Sequence, residues 1–198
     1  MRIGIIGTGS VGTALARGFD AAGHAVVLGS RTPAESGGGI GDAIDVLPRG
    51  EAAERGEAVV LAVPGSAAPS VAADLATHLA AKPLVDATNE YPEATAERSL
   101  AARVADAAPE ARVVKAFNTI GANRMTDPEI GGERATMFVA GDNRAARETV
   151  ATLAGDLGFD PVEAGALGAA TRLEALARLW IDLSRDHGRD IGFRLLRE

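Results

Sequence analysis

The chain of 198 residues contains no cysteine. That excludes a disulfide framework, a thiol nucleophile and a thiolate metal site, and it is consistent with a reducing cytoplasm. Aromatic residues make up only 4%, with one Trp and one Tyr. No apolar run approaches the roughly 18 residues that cross a bilayer, and no membrane partner is expected. The apolar strand pattern begins within the first three residues, which leaves no room for a signal or transit peptide. The net charge is −7, and no basic cluster exceeds two or three residues; neither nucleic acid nor an anionic membrane is an expected partner.

No general acid–base constellation is visible either. Of the three histidines, His24 precedes an apolar run and reads as a surface turn residue, His78 falls in a helical stretch, and His187 lies near the end of another. No pair has metal-ligand spacing, so no metal is expected. Lys82 and Lys115 are the only lysines; Lys115 sits within a strand pattern, and no Tyr-x-x-x-Lys or Gly-x-Ser-x-Gly motif occurs. An enzyme acting on an alcohol needs a proton relay, whereas one passing hydride between two ring cofactors can work by stacking and orientation.

What the chain does have is glycine, and its most telling cluster is at the start. The apolar run Ile3–Ile6 leads directly into Gly7-Thr8-Gly9-Ser10-Val11-Gly12. A helical pattern follows, with Val11, Leu15, Ala16 and Phe19 on one face, and a second apolar run, Ala25–Leu28, closes the unit. Gly-x-Gly-x-x-Gly between a strand and a helix, with a second strand within about 30 residues, is the dinucleotide-binding fingerprint. Gly7 permits the tight turn, Gly9 lets backbone N–H groups approach a pyrophosphate, and Gly12 lets the helix pack on the strand. The positive end of the helix dipole adds to the anion site. The bland alternative is a glycine-rich turn that binds no nucleotide.

The end of the second strand selects the dinucleotide. An NAD site carries a carboxylate there for the ribose 2′-OH. Here the residues are Gly29-Ser30-Arg31-Thr32, with no carboxylate before Glu35. Arg31 can grip a 2′-phosphate with two charge-assisted hydrogen bonds, and the Ser30 and Thr32 hydroxyls can donate to it. The site therefore reads as NADP-specific rather than as a solvated surface arginine.

Further along, Ile40–Val46 reads as a short strand or turn after a shortened crossover, Arg49–Arg55 as a short helix, and Glu57–Val63 as a buried strand. Ser66–Ala80 reads as a helix with Pro69 in its first turn. Strands at Leu84–Ala87, Arg112–Ala116, Ala135–Ala140 and Pro161–Glu163 alternate with helices at Ala94–Ala107 and up to Leu157, the latter capped at Gly141-Asp142-Asn143. Ala170–Arg185 is amphipathic, with Leu173, Leu176, Leu179, Trp180 and Leu183 on one side, and the tail Ile191–Leu196 is apolar enough to need burial. The expectation is an α/β fold: a Rossmann-type, doubly wound, mostly parallel sheet in a single domain over 1–198, with a C-terminal helical cap over about 165–198.

Ligands of such sheets bind outside the carboxyl ends of the strands. Val63 and Pro64 offer an apolar edge for a nicotinamide or an adenine; Thr88, Asn89, Asn118 and Thr119 offer neutral hydrogen-bonding groups.

With these residues in place, the chain resembles the coenzyme F420-dependent NADP oxidoreductases, whose fold is also used by the cytoplasmic domain of the STEAP metalloreductases. The resemblance rests on residues 1–12, Val27–Arg31, Lys115-Ala-Phe-Asn-Thr-Ile120, Val139–Asn143, Glu163–Gly168 with Arg172 and Glu174, and Gly192–Leu196. It implies a cytoplasmic homodimer with NADP across Gly7–Gly12, its 2′-phosphate on Ser30 and Arg31. A second ring system then stacks on the nicotinamide near Asn118, Thr119 and the C-terminal segment. The electron partner is coenzyme F420, or FMN/FAD: Asn118 and Gly65 stand where the methanogen-type deazaflavin enzymes carry a His and a bulky aromatic. A cofactor-binding sensor or partner subunit without catalysis is the third reading.

Overall fold

A computed structural model describes residues 1–36, 44–92 and 98–197. Its strands are β1 (Arg2–Ile6), β2 (Ala25–Ser30), β3 (Asp45–Pro48), β4 (Ala58–Leu61), β5 (Pro83–Asp86), β6 (Arg112–Lys115), β7 (Glu129–Ile130), β8 (Glu133–Arg134), β9 (Thr136–Gly141) and β10 (Asp160–Gly165). The helices are α1 (Ser10–Ala21), α2 (Pro33–Ser36), α3 (Arg49–Arg55), α4 (Ala68–Asp74), α5 (Ala76–Leu79), α6 (Leu100–Ala107), α7 (Arg144–Asp156) and α8 (Ala170–His187).

Eight strands form one sheet in the order β10-β9-β6-β5-β4-β1-β2-β3. The chain winds outward from β1 in one direction and from β4 in the other, so the topological switch lies between β1 and β4. All neighbouring pairs are parallel except β6 and β9, which run antiparallel. The sequence shows the β9–β10 unit but carries no sign of this reversal, because a buried strand reads the same in either direction. A small antiparallel pair, β7–β8, is a further element the periodicity does not reveal.

Alternation along the strands splits the core between the two faces of the sheet. Ile3, Ile5, Val60, Val85 and Val114 pack with Leu15, Ala16 and Phe19 of α1 and with Val150 and Leu153 of α7. Their neighbours Ile6, Val59, Leu61, Leu84 and Val113 face the other way, onto Ala52 of α3, Val71 of α4 and Val104 of α6. Phe117 bridges Phe19 and Phe159 edge-to-face, each pair with ring centroids 6.1 Å apart.

Several expectations need correction. The helix read over Ser66–Ala80 is divided: a 3₁₀ turn at Gly65–Ala67 precedes α4, and Leu75 leaves helical geometry (φ −103°, ψ 4°) before α5. Pro69 does fall in the first turn of α4. The helix read from Ala94 begins, within the described residues, at Leu100, where the Ser99 side chain accepts a hydrogen bond from the Ala102 N–H; the earlier residues 94–97 lie outside them. Of the stretch Ile40–Val46, residues 40–43 also lie outside the described residues, and the strand itself is β3.

The tail is not buried as expected. Leu195 and Leu196 are 42% and 77% exposed. Backbone hydrogen bonding, not burial, holds it: the Thr136 N–H donates to the Phe193 carbonyl, and the Leu195 N–H donates to Thr136 Oγ1. The indole of Trp180 donates to the Ile191 carbonyl. On α8, Leu173 and Trp180 are buried, but Leu179 is exposed. No described helix is long and apolar enough to cross a membrane.

Candidate active site

The carboxyl ends of β1, β2 and β4 surround a cleft of about 240 Å³ lined by Gly7, Thr8, Gly9, Gly29, Ser30, Arg31, Thr32, Arg49, Ala62, Val63 and Pro64. Each glycine of the fingerprint is there for a different reason. Gly7 has φ +124°, and a Cβ on it would stand 2.2 Å from the Ala62 carbonyl oxygen. A Cβ on Gly12 would stand 2.0 Å from the Gly7 carbonyl oxygen, so α1 lies against the turn only because that atom is missing. A Cβ on Gly9 would meet no atom within 4 Å. Its side is open, which leaves the space a phosphate chain would use.

Gly9 is the N-cap of α1 and offers no side chain to its first N–H groups, and the first turn holds no acidic residue. Those donors and the positive end of the helix dipole lie directly after Gly9, at the edge of the cleft. The turn is braced by the Gly7 N–H donating to the Gly29 carbonyl at 3.0 Å and by Thr13 Oγ1 donating to the Thr8 carbonyl at 3.3 Å.

At the end of β2, Ser30 is buried, and its hydroxyl accepts from the Thr32 N–H at 3.1 Å. That local turn points Arg31 outward, and Arg31 is exposed. Arg49, the first residue of α3, lines the same cleft and is a residue the motif reading does not include. Its signal is present in the sequence: a helix starting directly after a strand brings its first side chain to the carboxyl edge. Burial, and then the neighbouring Arg31 charge, hold the Arg49 guanidinium below its ordinary pKa; Asp74 acts in the opposite direction with a smaller effect. No carboxylate lines the cleft among the described residues.

Of the residues expected to touch a cofactor, Gly7, Thr8, Gly9, Ser30, Arg31, Thr32, Val63 and Pro64 line this cleft, and Gly12 lies beneath it. Ser10 borders a shallower depression together with Thr8, Gly9 and Thr13, while Val11 packs against the core. Asn89 and Asn118 sit apart and hold one another. Asn89 Nδ2 donates to the Asn118 carbonyl at 2.8 Å; Asn118 Nδ2 donates to Asn89 Oδ1 at 3.2 Å and to the Leu173 carbonyl at 3.1 Å. Asn118 Oδ1 is buried without a partner, and Thr119 is buried beside it. Phe117, just before them, has φ +58°, a left-handed geometry that a bulky residue adopts only where its surroundings impose it.

The surroundings include a buried ionic cluster that the sequence does not announce. Lys115 and Asp86 are fully buried, and Glu174 nearly so. Lys115 Nζ lies 2.9 Å from Asp86 Oδ2, 2.6 Å from the Thr88 carbonyl and 3.3 Å from Glu174 Oε1. Asp86 Oδ1 accepts from the Thr88 N–H and hydroxyl. Glu174 accepts from the N–H groups of Leu100 and Ala101, at the start of α6. The cluster ties the ends of β5 and β6 to α6 and α8 and sets the loops that carry Asn89 and Asn118. Nothing local in the sequence marks it, because Asp86, Lys115 and Glu174 are far apart along the chain.

The histidines do not enter the cleft lining. His24 is no free turn residue: its ring bonds the N-terminal amine at 3.2 Å and Asp156 at 3.1 Å. No group of three or more His, Cys, Asp or Glu suited to a metal occurs among the described residues.

A doubly wound sheet with a fingerprint turn and a basic rim at its switch point defines the class as a Rossmann-type α/β protein. Comparison with known proteins narrows it. The family model described as "NADP oxidoreductase coenzyme F420-dependent" matches residues 2–90. The F420-dependent NADP reductase of Methanothermobacter thermautotrophicus is 30% identical over 98% of this chain and 94% of its own. A crystal structure from Arthrobacter sp. FB24, described as a "putative f420 dependent nadp-reductase", superposes with a TM-score of 0.88 at 30% identity, covering 98% of this chain and 99% of that one. Metalloreductase STEAP3 of Rattus norvegicus is 33% identical over 88% of this chain, but the match spans only 36% of that protein. The chain belongs to the F420-dependent NADP oxidoreductase family.

Proposed function

We propose that this protein transfers hydride reversibly between NADP(H) and the deazaflavin coenzyme F420. The cleft carries the reading: an open Gly9, uncapped N–H groups of α1 and two arginines without a lining carboxylate suit the pyrophosphate and 2′-phosphate of NADP. In this reading Gly7–Gly12 hold the pyrophosphate, Ser30, Arg31 and Thr32 hold the 2′-phosphate, and Val63 and Pro64 offer an apolar wall to a ring. The chemistry NADPH would supply when bound is a hydride from its nicotinamide ring. In this reading the residues bind and orient, and catalysis proceeds by alignment of two rings. Asn118 and Thr119 are the proposed neighbours of the second ring. The same reading makes the protein a cytoplasmic homodimer, which sedimentation tests in its oligomeric part.

A second acceptor, FMN or FAD, is favoured by one observation. A Cβ on Gly65 would stand 2.2 Å from the Asn89 carbonyl oxygen, so this chain has no room for the bulky aromatic of the methanogen-type enzymes. The experiment is to mix protein and NADPH with coenzyme F420, and separately with FMN or FAD, and follow absorbance. Bleaching of the deazaflavin supports the proposal. Turnover with flavin alone transfers the function to the second reading, and tight NADP binding without turnover on any ring acceptor makes the protein a sensor or partner subunit.

A further inference from the structure

We infer that Arg49 forms, with Arg31, a two-arginine clamp for the 2′-phosphate and is a specificity-determining residue for NADP. The inference rests on the NADP reading above and adds to it a residue from a different strand-to-helix junction.

Strand register is the reason the two arginines meet. β2 and β3 are parallel neighbours, and Ser30 pairs with Pro48. Arg31 and Arg49 are each the next residue past that pair, so they leave adjacent strands at the same level. Neighbouring strands lie about 4.8 Å apart, which brings both side chains to one rim of the cleft. Gly29 strengthens the approach: a Cβ on it would stand 3.1 Å from Arg49 Cα, so α3 starts close against β2.

Two guanidinium groups at one rim repel unless an anion lies between them. Arg49 Nε is buried and has no hydrogen-bond partner, and no ion pair holds either arginine among the described residues. Asp74 acts on Arg49 at a distance, with a smaller effect than burial or the Arg31 charge. A buried N–H donor without a partner is costly to leave so, and a dianionic phosphomonoester supplies several acceptors. A ribose 2′-OH carries no charge and offers a single acceptor oxygen, so the clamp discriminates between the two dinucleotides rather than adding to both.

The test is calorimetric titration with two fragments that need no redox turnover: adenosine 2′,5′-bisphosphate and 5′-AMP. The unaltered protein is expected to favour the bisphosphate. Arg49→Ala should weaken the bisphosphate by roughly tenfold or more and leave 5′-AMP within about twofold, with Arg49→Lys recovering part of the loss. Arg49→Gln, which keeps the polar stem, serves if the alanine variant folds poorly. Equal weakening of both fragments would mean that Arg49 stacks on the adenine, and no weakening of either would mean that it is structural; each overturns the clamp while Arg31→Ala still reports on the NADP site. If the unaltered protein shows no preference for the bisphosphate, the NADP reading itself fails and the clamp falls with it.

Discussion

Replacing Lys115 by Met would remove the ammonium that holds Asp86, Glu174 and the Thr88 carbonyl together. Met matches the length of the stem but offers no donor. Two carboxylates, both buried to at least nine-tenths, would then face one another without a cation, and the Thr88 carbonyl would lose its 2.6 Å partner. Breaking a buried ion pair from one side costs about 3–5 kcal/mol. The surviving hydrogen bonds, from Thr88 to Asp86 and from Leu100 and Ala101 to Glu174, hold the loss toward the middle of that range, about 4 kcal/mol. For a chain of this size, that corresponds to a fall in Tm of about 8–16 °C. Urea unfolding followed by circular dichroism measures it directly. The rescue is the sharper part of the assay: adding Asp86→Asn and Glu174→Gln to Lys115→Met removes both unpaired charges and should restore more than half of the loss. A loss below about 1 kcal/mol for the single variant, or no recovery in the triple, would refute the view that this cluster fixes the β5 and β6 loops.

Other outcomes follow from the same geometry. Arg31→Ala should weaken NADPH by about 2–3 kcal/mol and barely alter NADH, measured by fluorescence titration; equal losses would remove the NADP assignment. Gly9→Ala should change stability by less than about 1 kcal/mol, since its Cβ would meet nothing, yet impair dinucleotide binding. Gly12→Ala should lower stability itself in thermal melts, because its Cβ would meet the Gly7 carbonyl oxygen at 2.0 Å. Glu57 is held below the usual carboxylate range by the Arg2 N–H and then by the Arg2 charge. Its stabilising contribution is thus present above the unfolded-state pKa and is lost as pH falls through the lower folded value. Glu57→Gln should flatten that acid limb in melts recorded against pH.

The strand-and-helix alternation is legible in the sequence because burial repeats locally. The pattern reads α3 at its observed bounds, and the Asn143 cap of α7 is legible as a side chain before a helical pattern; its Oδ1 accepts from the Ala146 N–H. Less is legible where long-range packing adds to, or overrides, the local pattern. The tail Ile191–Leu196 carries the apolar residues of a buried segment, yet its backbone docks on Thr136 while Leu195 and Leu196 point outward. Asn89 and Asn118 read as neutral hydrogen-bonding groups at two strand ends, and the 29 residues between them conceal that they bond one another. Lys115 reads as a strand residue and nothing more, since its three partners come from β5, the loop after it and α8.

By itself the sequence determined the dinucleotide turn and its leaning toward NADP. Gly7 and Gly12 are required by backbone freedom and close approach, Gly9 leaves open space, and Arg31 puts its charge on the same cleft; all are short-range features of one β-α-β unit. Only the tertiary structure decided which remote residues join them. Parallel pairing of β2 with β3 sets Arg49 beside Arg31, and the closing of α8 over β5 and β6 buries Lys115 between two carboxylates. Strand register and helix docking carry that information, and neither is written in the spacing of the residues they bring together.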